Sequence, residues 1–244
     1  MTHLKTAFIS QLLLLTLASS AYAHKTNSIS EIRKESQELD TQTKAEELKA
    51  LQRWNHAKEL LGKRYKKSVV RTGEAVAELD SSIYQWTERA LKSRWKKFTR
   101  TISKTIIEQS TKYGFDPVFL MAVIENESSF NPEIVGSAGE IGLMQITPQT
   151  AEWISKKYDL PWKGARSLKN PATNIRIGAA YMAYLREQFE NRSQLYLAAY
   201  NMGSSNVKRA LGRQIWPREY SSRVMHYYVK YYAELKEEIG KVYN

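Results

Sequence analysis

The stretch PVFLMAVIENESSFNP, Pro117 to Pro132, constrains this chain more than any other. Asp116 before Pro117 has the form of an N-cap followed by proline in the first helical position. Every residue from Val118 to Ile124 is apolar, so a helix here has no polar face to show to water. Such a helix must run through the middle of a domain, with other helices packed around it. Asn131-Pro132 ends it, so the expected span is 118–129. Just before that end sits a carboxylate, Glu127, three and four residues after Ile124 and Val123 and on the same face. The geometry predicts a partly desolvated acid, with its charged form disfavoured and its pKa raised. Glu125 points about 200° away around the helix and is expected to be solvated.

The rest of the chain divides by composition. Residues 1–23 read as a targeting segment: Lys5, a short apolar core containing Leu12 to Leu17, and the small-x-small site Ala21-Tyr22-Ala23. That core is too short to span a bilayer. The expectation is an exported protein of the periplasm or cell envelope whose mature chain starts near His24. Residues 24–97 are nearly free of Gly and Pro and rich in helix formers. Val76, Leu79, Ile83, Trp86 and Ala90 form an amphipathic stripe, continued in a shifted register by Leu91, Trp95, Phe98 and Ile102. Gly62 and Gly73 are the expected turns, and residues 24–45 are either disordered or a weak helix. This region reads as a basic helical appendage to a domain occupying 98–244.

Charge and metal chemistry narrow the classes. The net charge of +12 suits an anionic surface, a cell-wall polymer or a membrane face, or a protein partner for residues 24–97. No nucleic-acid motif accompanies it, so nucleic acid is not an expected partner. There is no cysteine, and His3, His24, His56 and His226 are scattered, so neither a metal nor another cofactor is expected.

Within 98–244, helices are expected from near Thr150, from Asn174 to about Phe189, from Ser193 to Gly203, and from Glu219 to about Val242. Gly178-Ala179-Ala180 leaves room for close packing. Strand candidates are short and confined to the loop 133–146, so the fold class is mainly α. Tyr181 and the stripe Tyr220, Tyr227, Tyr228, Tyr231 and Tyr232 are assigned to core packing.

Spacing alone leaves Glu127 two readings: a general acid, or a helix-end carboxylate in a salt bridge. The motifs add a third fact. AVIENESSFNP with GEIGLMQITPQTA, then NPATNIRIGAAYMAYL, then AAYNMGSSNV, stand in one order over about 98–244. Together they resemble the soluble lytic transglycosylase catalytic domain, glycoside hydrolase family 23. The resemblance implies a mostly helical, lysozyme-like (α+β) fold with a sugar groove. It also implies cleavage of the β-1,4 bond between N-acetylmuramic acid and N-acetylglucosamine in peptidoglycan, leaving 1,6-anhydro ends. Glu127 matches the family's catalytic Glu, Met144 and Gln145 are expected to line the cleft, and Tyr200 and Asn201 match its Ala-Ala-Tyr-Asn block. There the Tyr hydroxyl lies near the acid.

Three positions depart from the family pattern. Glu140 stands where Ala is common, Gly136 where a Ser is often found, and Glu219 lies directly beside Tyr220 rather than a turn earlier. Two rival functions carry over: a hydrolase of the goose-type lysozyme kind, which would hold a water with extra acids, and a non-catalytic wall-binding scaffold.

Overall fold

The computed structural model describes residues 33–34, 36–41, 43–72 and 79–242. The targeting segment, the chain start at His24, the turn at Gly73 and Val76 of the first stripe lie outside the described residues. Two compact units are present, Met1–Leu48 and Lys49–Asn244. In the first, residues 36–41 and 43–48 are helical and exposed. Of the alternatives for 24–45, the described residues thus take the helical one. Pairs four residues apart, Lys34 with Glu38 and Lys44 with Asp40, run along its surface.

The second unit is built from α1 (49–61), α2 (Val69–Thr72), α3 (Asp80–Ala90), α4 (Thr99–Tyr113), α5 (Pro117–Ser128), α6 (Pro148–Tyr158), α7 (Pro171–Gln188), α8 (Ser193–Met202), α9 (Ser204–Gly212) and α10 (Glu219–Val242). The expected helices are all present, and most boundaries fall within three residues of expectation. Among the described residues, extended structure is limited to isolated bridges, Val135 with Ile141 and Ile141 with Ile146. The chain is therefore mainly α.

Helix α5 is the centre, as its composition requires. Asp116 caps it, Oδ1 accepting from the Val118 amide at 2.9 Å, and Val118 through Ile124 are each fully buried. Helices α3, α4 and α10 pack around it. The tyrosines of α10 finish the cap: Tyr228 and Tyr232 donate their hydroxyls to Asp116 Oδ2 at 2.6 and 2.7 Å. The expectation that this stripe is core holds for Tyr220, Tyr228, Tyr231 and Tyr232, and for Tyr228 and Tyr232 there is a further physical reason: a buried carboxylate needs donors.

The boundary expected at residue 98 is corrected by the fold. Leu60, Ile83, Trp86 and Trp95 are buried in one apolar core with Ile102, Phe119 and Tyr228. His56 of α1 is fully buried; its Nδ1 accepts from the Asp116 amide at 3.0 Å, and its Nε2 lies 3.2 Å from the Tyr196 hydroxyl. With Nδ1 accepting, the ring proton resides on Nε2 and the imidazole is neutral. Burial, and then the nearby Arg186, push its pKa well below the ordinary value. Glu59 of α1 also binds Arg186 of α7, accepting from Nε at 3.0 Å. Residues 49–72 and 79–97 are thus part of the domain. The stripe that suggested an appendage is amphipathic because it faces α4, α5 and α10.

Candidate active site

Glu127 occupies the last turn of α5, where the helix leaves the core. The chain then takes two consecutive left-handed residues, Ser129 (φ 46°) and Phe130 (φ 57°). A bulky side chain at positive φ is strained, and such strain persists only where the surroundings impose it. Phe130 is fully buried, which holds the turn. The chain reverses there and runs into the loop 131–147.

That loop is fastened by one polar side chain from each of three helices. Ser128 of α5 donates to the Leu143 carbonyl at 2.8 Å. Asn174 of α7, fully buried, accepts from the Met144 amide at 2.7 Å and donates to the carbonyls of Ile141 and Leu168 at 2.7 and 3.0 Å. Tyr200 of α8 donates to the Met144 carbonyl at 2.8 Å. Gly142, at φ 79°, lies so close to Asn174 that a Cβ would fall 2.5 Å from its Nδ2, so both backbone and space demand glycine.

The fastened loop makes one wall of a cleft of about 370 Å³ lined by Glu127, Gly136, Glu140, Gln145, Tyr200 and Asn201, with Tyr181 and Thr147 beside them. A larger cavity of about 820 Å³ lies between α1, α8 and α10, but it contains none of Glu127, Gln145 or Tyr200. Chemistry and not size identifies the site.

Glu127 is largely buried, and desolvation raises its pKa. Hydrogen bonds from Tyr220 and Asn126 and the charge of Arg223 act the other way, while Glu140 adds to the rise. The net direction is the one expected from α5. Tyr220, in the first turn of α10, donates its hydroxyl to Glu127 Oε1 in a short hydrogen bond. Burial, and then the neighbouring Glu127, push the Tyr220 phenol well above its ordinary range, so it remains a donor.

Glu127, Gln145, Tyr200 and Asn201 are thus brought together as expected, and Met144 is not. Its side chain is fully buried and packs against Gly178, where a Cβ would lie 2.5 Å from the Met144 sulfur. The space left by Gly178 is filled by the loop, and Met144 anchors the wall from behind. Tyr200 is adjacent to the acid, but its hydroxyl is committed to the loop.

Three further expectations are changed or extended. Tyr220 is buried in the core as assigned, but it is also the direct partner of Glu127. Tyr181, also assigned to the core, is only partly buried and lines the cleft. Glu125, expected in solvent, is half-buried against α10, and burial raises its pKa with Tyr231 as hydrogen-bond donor. Glu219 is exposed and pairs with Arg223 at 2.8 Å, outside the cleft. The signal for Tyr220 was present in WPREYSSRV. Tyr220 is the first tyrosine of the stripe and stands in the first turn of α10, where that helix meets the end of α5.

Residues 104–221, just under half of the chain, match the Transglycosylase SLT domain, and over them the chain is similar to soluble lytic transglycosylase catalytic domains. Among curated proteins, the chain is 40% identical over 95 residues to the soluble lytic murein transglycosylase of Salmonella typhimurium, covering 38% of this chain and 15% of that protein. It is 34% identical over 116 residues to the membrane-bound lytic murein transglycosylase C of Histophilus somni, covering 40% of this chain and 30% of the other. The aligned regions are therefore less than a third of these relatives' lengths.

Two solved structures resemble the fold. One is an inactive mutant of the lytic transglycosylase Slt from Pseudomonas aeruginosa (TM-score 0.52, 27% identity, 64% of this chain and 28% of that one). The other is the 70-kDa soluble lytic transglycosylase in complex with bulgecin A (TM-score 0.52, 26% identity, 66% and 30%).

Proposed function

We propose that this protein is an exported lytic transglycosylase that cleaves the N-acetylmuramic acid–N-acetylglucosamine bond of peptidoglycan in the cell envelope. The observation that carries the proposal is the Glu127–Tyr220 pair: a desolvated carboxyl, favoured in its protonated form, opening into a cleft within a matched transglycosylase domain. Relatives described as murein transglycosylases support the substrate class.

Glu127 acts twice, first as acid and then as base. Glu127 gives its proton to the glycosidic oxygen as the C1–O bond breaks, and the glucosamine leaves as an alcohol. The muramic acid's own C6 hydroxyl attacks C1, and the Glu127 carboxylate takes the hydroxyl proton back. A 1,6-anhydro ring forms and no water is consumed. Most glycosidases need a second carboxylate to attack or to activate water. Here the nucleophile is already tethered to the reacting ring, at high effective concentration, so one acid suffices. Tyr220 holds Oε1, which leaves Oε2 to carry the acidic proton and stabilises the carboxylate formed midway. Gln145 and Asn201 supply hydrogen-bonding groups to the sugar. The exposed cations of the chain, Arg64, Lys66 and Lys67 among them, favour approach to an anionic wall.

Mass spectrometry of sacculi digested with the purified protein tests this. Anhydro-ended muropeptides are expected. Reducing ends as the main product would make the protein a hydrolase, and release of neither would leave it a wall-binding protein.

A further inference from the structure

Gly136 has no positive φ, so its backbone conformation does not require glycine. The requirement comes from space. A Cβ there would sit 2.4 Å from Glu140 Oε2 and 2.8 Å from Gln145 Oε1. The two positions that depart from the family pattern, 136 and 140, therefore meet: the carboxylate of one fills the side-chain space of the other.

Glu140 is tied to the turn at both ends. Its Oε2 accepts from the Ala138 amide at 3.0 Å, and its carbonyl accepts from the Gly136 amide at 2.8 Å. Gln145, itself at φ 44°, is oriented by the same wall. Its Nε2 donates to the carbonyls of Gly142 and Ile134 at 2.9 and 3.4 Å, which directs Oε1 over Gly136. Glu140 and Glu127 face one cleft.

We propose that Glu140 is a positioning residue for Glu127: filling the side-chain space of Gly136, its carboxylate braces the loop wall and sets a second negative charge across the cleft from the acid. This deepens the transglycosylase proposal and rests on it for its consequence in catalysis. Two negative charges in one cleft disfavour each other, so Glu140 helps keep Glu127 in its proton-donating form. The other groups facing Glu127 are Asn126 from α5, Tyr200 from α8, and Tyr220 and Arg223 from α10. The tyrosines are neutral, Arg223 favours the carboxylate, and Glu140 supplies the opposing charge.

Two measurements test it without requiring activity. In the first, the Glu127 side-chain carboxyl is titrated by carbon-13 NMR in the wild type and in Glu140→Gln. The amide preserves shape and still accepts from Ala138, so a purely structural role predicts no change. Loss of the charge predicts that the Glu127 midpoint moves to lower pH, and the alkaline limb of kcat/KM on glycan follows it. In the second, thermal stability is measured for Gly136→Ser, Glu140→Ala and the double variant. Gly136→Ser alone is expected to lower Tm by about 5 °C through overpacking. In the Glu140→Ala background the closer of the two contacts is gone and most of that loss disappears, the contact with Gln145 Oε1 remaining.

An unmoved Glu127 midpoint overturns the electrostatic role. A serine at 136 costing the same with and without Glu140 overturns the packing role. A wild type that releases no anhydro products defeats the transglycosylase reading alone, because the titration and the stability cycle still decide on Glu140.

Discussion

The Tyr220 hydroxyl donates to Glu127 Oε1 across 93 residues of sequence, joining the end of the central helix to the first turn of the last one. Burial makes Glu127 a proton donor, and this bond limits how far the effect goes, because it favours the carboxylate formed during the reaction. We predict that Tyr220→Phe folds normally and lowers kcat by about tenfold or more. Without the bond Glu127 stays protonated to higher pH, so the alkaline limb of the rate profile moves up while the maximum falls. A pH profile of muropeptide release checks both effects, and an unchanged maximum rate would remove Tyr220 from the mechanism.

Glu127→Gln is predicted to abolish release of anhydro-muropeptides, since an amide has no proton to give. It is also predicted to stabilise the fold at neutral pH. The folded-state pKa of Glu127 is raised by burial, above an unfolded value of about 4.3. Between those two values the folded state binds the extra proton, so stability falls as pH rises. The glutamine has no charge to desolvate. Its Tm should exceed that of the wild type at pH 7, with the difference closing as pH falls towards 4. Equal melting temperatures at both pH values would contradict the burial argument.

Asn174→Ala tests the loop clamp. The side chain meets two carbonyls and one amide inside the protein. Removing it leaves buried groups unpaired, at about 1–3 kcal/mol each for those that find no water. We expect a loss of about 2–4 kcal/mol in denaturant unfolding, together with impaired cleavage, because Gln145 and Glu140 share the loop. Unchanged stability would show that Asn174 does not hold the loop.

Truncation to residues 98–244 is expected to give a molten or insoluble product, whereas 49–244 folds. The shorter piece lacks Trp86 and Trp95, both almost fully buried. Each aromatic contributes on the order of 4–6 kcal/mol as an upper estimate from its buried area. A whole domain has a net stability of only about 5–15 kcal/mol. It also loses His56, the acceptor for the Asp116 amide at the start of α5. Near-UV circular dichroism of the two fragments decides, and a native spectrum from 98–244 would show that α1 and α3 are dispensable.

The sequence by itself determined the elements whose cause is local. Seven apolar residues in a row between Asp116-Pro117 and Asn131-Pro132 point to a buried helix, and a carboxylate near its end on the face of Val123 and Ile124 is drawn into partial desolvation. The ordered motif blocks identified the cleft wall and its loop. What the tertiary structure decided depends on meetings between distant residues, which no periodicity encodes. An amphipathic stripe states that one face is covered but not by what, so residues 49–97 read as an appendage until Trp86 and His56 met α5 and α10. A tyrosine near a core fits packing or a site equally well, and only the approach of α10 to α5 placed the Tyr220 hydroxyl, rather than that of Tyr200, on Glu127. Met144 entered the core instead of the cleft because Gly178, on another helix, left a space of its size, and Gly136 and Glu140 became one unit only when the turn folded the carboxylate back over the missing side chain.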